Sequence, residues 1–393
     1  MGNIRSNMPG LSTRRQLLTA VLAGSVSGCL RSTMGSQSQE TEKVDQSGTK
    51  EGTATQTDLP AKEWTQSFPA PPTTQPLIRD GNVFVGCQDH NLYKIDLQTG
   101  QQEFAVDVGD EVGRGLTYAE GVIYGSSPAG VFGIDTETGE ITFSTSEQIT
   151  GFGINTPLVS QGRLYYSSGS RLTAFDIASG DRIWDKRTAS WGGQPDLADG
   201  TLIVSDAGDT DTIPSEKSRI YGLDPTDGSV QWKTDITSDS LVSAVALSSD
   251  RTLSVFVGRY GLTAAFDTAT GEERWRATVD RDGNVVGQPV VTQGLVIVPL
   301  GGNGIYAYDV TSGSRQWSIN GTEVGTGYRI EALNGHLITA KSSLYELAIA
   351  DGTLKQTHDL SPSVAESLLP AVEEDYFVYP TASSSIRLVK RTQ

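Results

Sequence analysis

Cysteine is nearly missing from this chain: among 393 residues only Cys29 and Cys87 occur. Two thiols are too few for a disulfide framework or for most structural zinc sites. The haem-attachment pattern C-x-x-C-H is absent. Histidine is as scarce, with 3 in all, which leaves little room for a His-rich metal site. Positive charge is short too: 30 Lys and Arg face 47 Asp and Glu, for a formal net charge of −17. Phosphate backbones are repelled by such a surface, so nucleic acid is not an expected partner. Long apolar runs are also missing. The stretch from Leu17 to Val26 is only about half the length that spans a bilayer. Lysine supplies 10 of the 30 basic residues, and the acids are scattered through the chain. That pattern is expected of a protein soluble in strong brine, and so of a haloarchaeal source; an acidic extracytoplasmic protein of another source is the alternative.

What the chain has in abundance is glycine, 44 residues, and a repeated phrase. "LTAAFDTATGEERW" carries Asp267, Gly271 and Trp275. "RLTAFDIASGDRIW" repeats it as Asp176, Gly180 and Trp184, "IYGLDPTDGSVQW" as Asp224, Gly228 and Trp232, and "IYAYDVTSGSRQW" as Asp309, Gly313 and Trp317. "LYKIDLQTGQQEF" and "VFGIDTETGEITF" keep Asp96 with Gly100 and Asp135 with Gly139, but place Phe104 and Phe143 where Trp stood. A seventh copy, "LYELAIADGTLKQ", keeps Gly352, with Ala348 and Gln356 at the other two positions. Successive copies lie 39 to 48 residues apart. A period near forty marks a propeller or a solenoid.

Each copy has a second fixed part. "TQPLIRDG", "NTPLVSQG", "GQPDLADG", "GQPVVTQG" and "LLPAVEED" place Pro76, Pro157, Pro195, Pro289 and Pro370 before a short apolar pair and a tight turn. An apolar strand follows, then a strand ending in the Asp, then one carrying the Trp or Phe. The unit therefore reads as a four-stranded antiparallel meander. The Asp side chain is short enough to bond backbone N–H groups two residues on, and Gly takes a positive φ without penalty. The aromatic lies on the outer strand, where it can wedge into the seam between neighbouring sheets. Burying a side chain of that size contributes roughly 2–3 kcal/mol.

Inner strands are expected near residues 73–79, 112–118, 155–160, 193–198, 241–247, 287–292, 328–333 and 367–372, which makes eight units. The eighth has no fourth strand after "SSIRLVKRTQ". Residues 61–68, with Trp64 standing before Pro76 as Trp184 stands before Pro195, are expected to supply it. The fold expected is thus all-β: an eight-bladed propeller over 61–393, closed by an amino-terminal strand joining the last blade. Capping repeats that a solenoid would need are not visible.

Ahead of the repeats, "STRRQLLTAVLAGSVSGCL" reads as an export signal over residues 1–28. Arg14 and Arg15 fit the twin-arginine route, and the apolar run has signal-peptide length. Val26-Ser27-Gly28-Cys29 fits a lipoprotein box, with Cys29 lipidated and the mature protein held at the outer face of the cell membrane. Residues 29–60 hold almost no large apolar side chain and read as a disordered tether.

The repeats resemble the PQQ-type propeller family, on the strand-end Asp, the Thr-Gly turn and the Trp quoted above, over about residues 61–393. That family includes quinoprotein dehydrogenases, which hold pyrroloquinoline quinone and Ca²⁺ in the ring. It also includes non-enzymatic exported lipoproteins such as the outer-membrane assembly propeller. The resemblance to the dehydrogenases implies a pair of adjacent cysteines over the cofactor and a Glu, Asn and Asp set around the calcium. This chain has no adjacent cysteines, no calcium set that aligns and no long insertion to roof a cofactor. The expectation is therefore a monomeric, non-enzymatic protein-binding or scaffold module without a bound cofactor. A PQQ- and Ca²⁺-dependent dehydrogenase and a solute-binding lipoprotein are the alternatives.

Loops entering the inner strands form the mouth of the central channel. Gln75, Asn155, Gln194 and Gln288 stand there, with Arg114 and Arg329 beside them and Trp191 and Tyr328 near. These groups could hold an anionic or sugar-like ligand or a peptide carboxylate; they could equally satisfy one another and water. An insertion in the fourth unit carries Asp206, Asp209, Asp211 and Glu216, whose spacing is not that of an EF-hand and which reads as a solvated loop. His336 is a lone His on a strand, and His90 and His358 are read as turn residues. No metal site is expected. Asn320-Gly321-Thr322 is one glycosylation sequon between an outer and an inner strand.

Overall fold

The computed structural model describes residues 62–145, 156–187, 194–206, 218–236, 242–258, 261–279, 288–300, 304–321, 324, 330–333, 335–340, 343–361, 363–364, 368 and 370–391. The signal over 1–28, Cys29 and the tether lie outside the described residues. Within them, 32 strands form eight four-stranded antiparallel sheets around a common axis. Blade 1 is typical: Leu77–Arg79, Asn82–Gly86, Asn91–Asp96 and Gln102–Asp107 run outward from the axis in chain order. Blades 2 to 7 span residues 117–144, 158–187, 196–236, 242–277, 290–319 and 330–359. Blade 8 takes Ala371–Val372, Tyr376–Thr381 and Ser385–Lys390 from the carboxyl-terminal side and Trp64–Ser67 from the amino-terminal side. Trp64 pairs with Leu388 and Ser67 with Ser385, so the ring closes as the sequence implies.

The core is divided among the seams. The middle strands are rich in Val, Ile, Leu and aromatics because each blade is covered on both faces. Successive residues serve opposite seams: Ile203 packs with Phe256 and Phe266 of blade 5, whereas Val204 packs with Tyr165 and Trp184 of blade 3. Eight apolar clusters result, one per seam, the closing one joining Val378 and Leu388 to Val83 and Ile95. Outer strands are half exposed, as in the alternating pattern of Gln102–Asp107.

The repeated phrase is the device that joins blades. The indole N–H of Trp64 donates to the Leu97 carbonyl at 2.8 Å, Trp184 to Pro225 at 3.1 Å and Trp232 to Thr268 at 3.0 Å. Trp275 donates to Val310 at 2.8 Å and Trp317 to Ile349 at 2.9 Å. The acceptor is always the residue just after the strand-end position of the next blade. The turn glycine of that blade then lies against the ring: a Cβ on Gly271 would come within 2.3 Å of Trp232. The glycine is needed twice, for its φ of +71° and for this approach.

Two further regularities place the ring. A β-bulge recurs just before the strand-end residue, between Gly222 and Leu223 in blade 4 and between Ala307 and Tyr308 in blade 6. It sets the aromatic opposite the residue two before the Asp, as in Ala174 with Trp184 and Gly133 with Phe143. In blades 3 to 6, where the aromatic is Trp, that residue is Ala or Gly. The Asp closes the turn as expected: Asp309 Oδ1 accepts from the Ser312 N–H at 2.7 Å and the Ser312 hydroxyl at 2.8 Å. These bonds hold the Asp309 carboxyl below its ordinary range.

Replacing Gly294 by Ala tests the conformational part alone, since its φ is +76° and nothing lies within 4 Å of a Cβ there. That change should cost about 1–2 kcal/mol. Gly271→Ala has the same φ penalty but also displaces Trp232, and should cost a further 1–3 kcal/mol or so by overpacking. Urea unfolding of both variants measures the difference; equal losses would mean that Gly271 serves only its own turn.

Candidate functional site

The first strands of the blades lie along the axis, and the loops that enter them form one mouth of the channel. Pro76, Pro157, Pro195, Pro289 and Pro370 precede these strands and are all buried, their fixed φ presetting an extended entry. Of the expected mouth residues, Gln75 and Gln194 are half-buried, while Arg114 and Gln288 are exposed. Asn155, Arg329, Trp191 and Tyr328 lie outside the described residues. No hydrogen bond joins Gln75, Arg114, Gln194 and Gln288 to one another among the described residues. Gln75 instead donates from Nε2 to Glu331 Oε2 at 3.4 Å. Glu331 belongs to the inner strand Ile330–Leu333 of blade 7, so this bond passes blade 8 and joins two next-but-one blades.

Three half-buried carboxyls lie in or beside the inner strands. Burial pushes the Glu331 carboxyl above its ordinary range, Gln75 opposes that and the Glu373 charge adds to it. Burial also lifts Glu373, at the end of the blade 8 inner strand, against the pull of Arg79. Asp196, the first residue of the blade 4 inner strand, is lifted by burial against its bond from the Leu197 N–H and the Arg251 charge. Poorly solvated carboxyls of this kind disfavour anionic guests. Sequence reasoning passed over Glu331, Glu373 and Asp196; the signal available was an acid in or beside the inner strands "RIEAL", "AVEED" and "PDLAD".

A second group of charges lies in the seam between blades 7 and 8. Glu346, 1% exposed, accepts from Arg391 Nε at 3.0 Å and Nη2 at 2.6 Å. His336 Nδ1 is 3.0 Å from the same carboxylate and His358 Nε2 is 2.8 Å from it. His358 is thus not a turn residue: it sits buried in the outer strand Leu354–Asp359, where the strand pattern continues past the bulge. Burial alone would raise the Glu346 carboxyl, but the Arg391 and His bonds override it and hold it at about 2. This seam has no indole: Gln356 stands opposite Glu346, at the pair that is Trp with Ala or Gly in blades 3 to 6. His90 is in a turn as expected, at a φ of +70°.

The remaining candidates are separate. Asp206 is buried and faces Arg219 at 3.7 Å, while Asp209, Asp211 and Glu216 lie outside the described residues. Asn320 is exposed just past the outer strand of blade 6. Cys87 is wholly buried, and burial pushes its thiol up. Among the described residues no three His, Cys, Asp or Glu side chains come together in a way that could hold a metal ion.

Comparison with known proteins follows from this geometry. The family profile described as outer membrane protein assembly factor BamB matches residues 102–259 and 216–333. No curated protein matches the chain. Among solved structures, BamB from Moraxella catarrhalis is 13% identical with a TM-score of 0.64, covering 83% of this chain and 98% of that one. The quinohemoprotein alcohol dehydrogenase ADHIIG from Pseudomonas putida HK5 is 12% identical with a TM-score of 0.63, covering 81% of this chain and 71% of that one. The computationally designed Ika8 protein is 14% identical with a TM-score of 0.68, covering 83% of this chain and 98% of that one. At these identities the likeness is one of fold.

Two outcomes are expected. Arg391→Met leaves Glu346 buried without its main partner and should cost about 3–5 kcal/mol in thermal unfolding; a loss under about 1 kcal/mol would remove the pair from the seam. Glu331 binds its proton more readily folded than unfolded, so stability should fall as pH rises above the ordinary Glu range near 4.3. Glu331→Gln should flatten that part of the profile and melt no lower than the parent at neutral pH, read by melting temperature across pH.

Proposed function

Because the chain belongs to the family of the outer membrane protein assembly factor BamB, we propose that it is an exported, lipid-anchored propeller that binds other proteins at the outer face of the cell membrane. The observation that carries this reading is the extent of the ring. The ring accounts for nearly all of the Moraxella BamB chain, 98%, and the family profile of that assembly factor matches residues 102–259 and 216–333. What this protein shares with the dehydrogenase is the blades. The export signal and the Cys29 lipid belong to the same proposal and rest on the sequence of residues 12–29.

Two observations weigh against a quinone with its calcium: the chain has no adjacent cysteines, and the one cysteine of the propeller, Cys87, is shut in the core. The exposed turns around the rigid ring are the surface this reading offers to partners.

Affinity capture of the tagged mature protein from cross-linked membranes should return a reproducible partner, and the Cys29→Ser variant should lose membrane retention. Tight uptake of pyrroloquinoline quinone with Ca²⁺, accompanied by dye-linked oxidation of an alcohol or sugar, would overturn the binding role. Unchanged retention of Cys29→Ser would remove the anchor.

A further inference from the structure

Blade 5 departs from its neighbours at one turn. In blades 1 and 6 two residues join the first and second strands, with Arg79 pairing to Asn82 and Thr292 to Leu295. In blade 5 Leu247 pairs with Ser254, and the Ser248 N–H donates to the Leu253 carbonyl at 2.8 Å. Ser249–Thr252 is left as a four-residue loop that stands out from the sheet. It is braced from within. Asp250 Oδ1 accepts from the Ser248 hydroxyl at 2.6 Å, the Thr252 hydroxyl at 2.9 Å and the Thr252 N–H at 3.1 Å. It is also braced from behind. Thr268, 4% exposed, directs its hydroxyl at the Arg251 and Thr252 carbonyls at 2.8 and 3.2 Å, and the Arg251 guanidinium donates to the Leu197 carbonyl of blade 4.

Between this fixed wall and the turns of blade 6 lies a cleft of about 420 Å³. That volume is within the range of small-ligand sites. Leu253, Val291 and Val310 give it an apolar side. Ser249, Thr292 and Thr311 bring hydroxyls that bond no other described residue. The charged groups in the lining are already engaged. Arg274 is held by Asp267 at 2.7 Å and Glu272 at 3.6 Å, and Asp250 is bonded into its own loop. An anion would meet a guanidinium already neutralised by two carboxylates. A simple cation would meet carboxylate oxygens taken by other donors. What remains on offer is an apolar surface edged with uncommitted hydroxyls, which matches a ring with a C–H face and hydroxyls around its rim.

We propose that the cleft between the lower turns of blades 5 and 6 binds a neutral sugar residue. The loop needs no ordering on binding, so the polar rim is preorganised. Recognition through neutral hydrogen bonds is not screened by salt, so affinity should be the same in dilute buffer and in brine.

Saturation-transfer NMR with trehalose, glucuronate and choline on the mature protein, at low and high salt, tests this. Trehalose should give saturable binding that salt leaves unchanged, and the Ser249→Ala, Thr292→Val, Thr311→Val variant should weaken it at least tenfold with its melting temperature retained. Thr311→Val alone, at an exposed turn, should weaken it several-fold if the triple variant does not fold. No saturable trehalose signal, tighter binding of glucuronate or choline, or unchanged binding in the hydroxyl-deleted variants would overturn the assignment. None of these outcomes bears on partner capture at the membrane, so the two readings fail separately.

Discussion

The ring is held by one contact made again at each indole seam: an indole that donates to the next blade's backbone and lies flat on its turn glycine. Most other regularities of the chain follow from it. The acceptor carbonyl must sit at the end of a strand, so an Asp closes the turn there and leaves the carbonyl free. The ring must reach the glycine, so in blades 3 to 6 a bulge shifts the outer strand and an Ala or Gly faces the Trp across the sheet. Trp275 shows the whole set, with Ala265 across from it, Val310 accepting its N–H and Gly313 beneath its face. The contact is between blades, so a single blade has little to fold around.

That constraint is also why the architecture was so readable from the chain alone. An Asp, a Gly and a Trp at fixed offsets are each tied to a backbone conformation or a close approach, and such positions tolerate few alternatives. Even the closing strand was legible, because Trp64 stands before Pro76 much as Trp184 stands before Pro195. The site was much less so. Ligand-facing groups in a ring are drawn from several blades, and nothing in the spacing of Gln75 and Glu331 announces that they meet past blade 8. Residues that looked polar and available, such as Arg114, turned out exposed, while the acids of the inner strands were hidden among apolar neighbours.

The seam between blades 7 and 8 could have been found from its departures. The seventh phrase loses the Asp, puts Glu346 at the small-residue position and Gln356 at the aromatic one, all within one blade. Arg391 takes up the position that follows the strand end and reaches back, reversing the direction of the usual contact. One aromatic seam is thereby exchanged for a fully bonded buried charge group. Such a group is tolerated only when every partner is present.

Blade 8 carries a mechanical consequence. Its outer strand, Trp64–Ser67, is the first described strand of the chain, and it is clasped along Ser385–Leu388. Any pull arriving from the amino-terminal side loads this short strand lengthwise, so that its cross-strand bonds resist together and do not peel one at a time. The Trp64 ring passes part of the strain to Leu97 and Gly100 of the neighbouring sheet. A leash attached there drags on the whole toroid and not on a single loose edge.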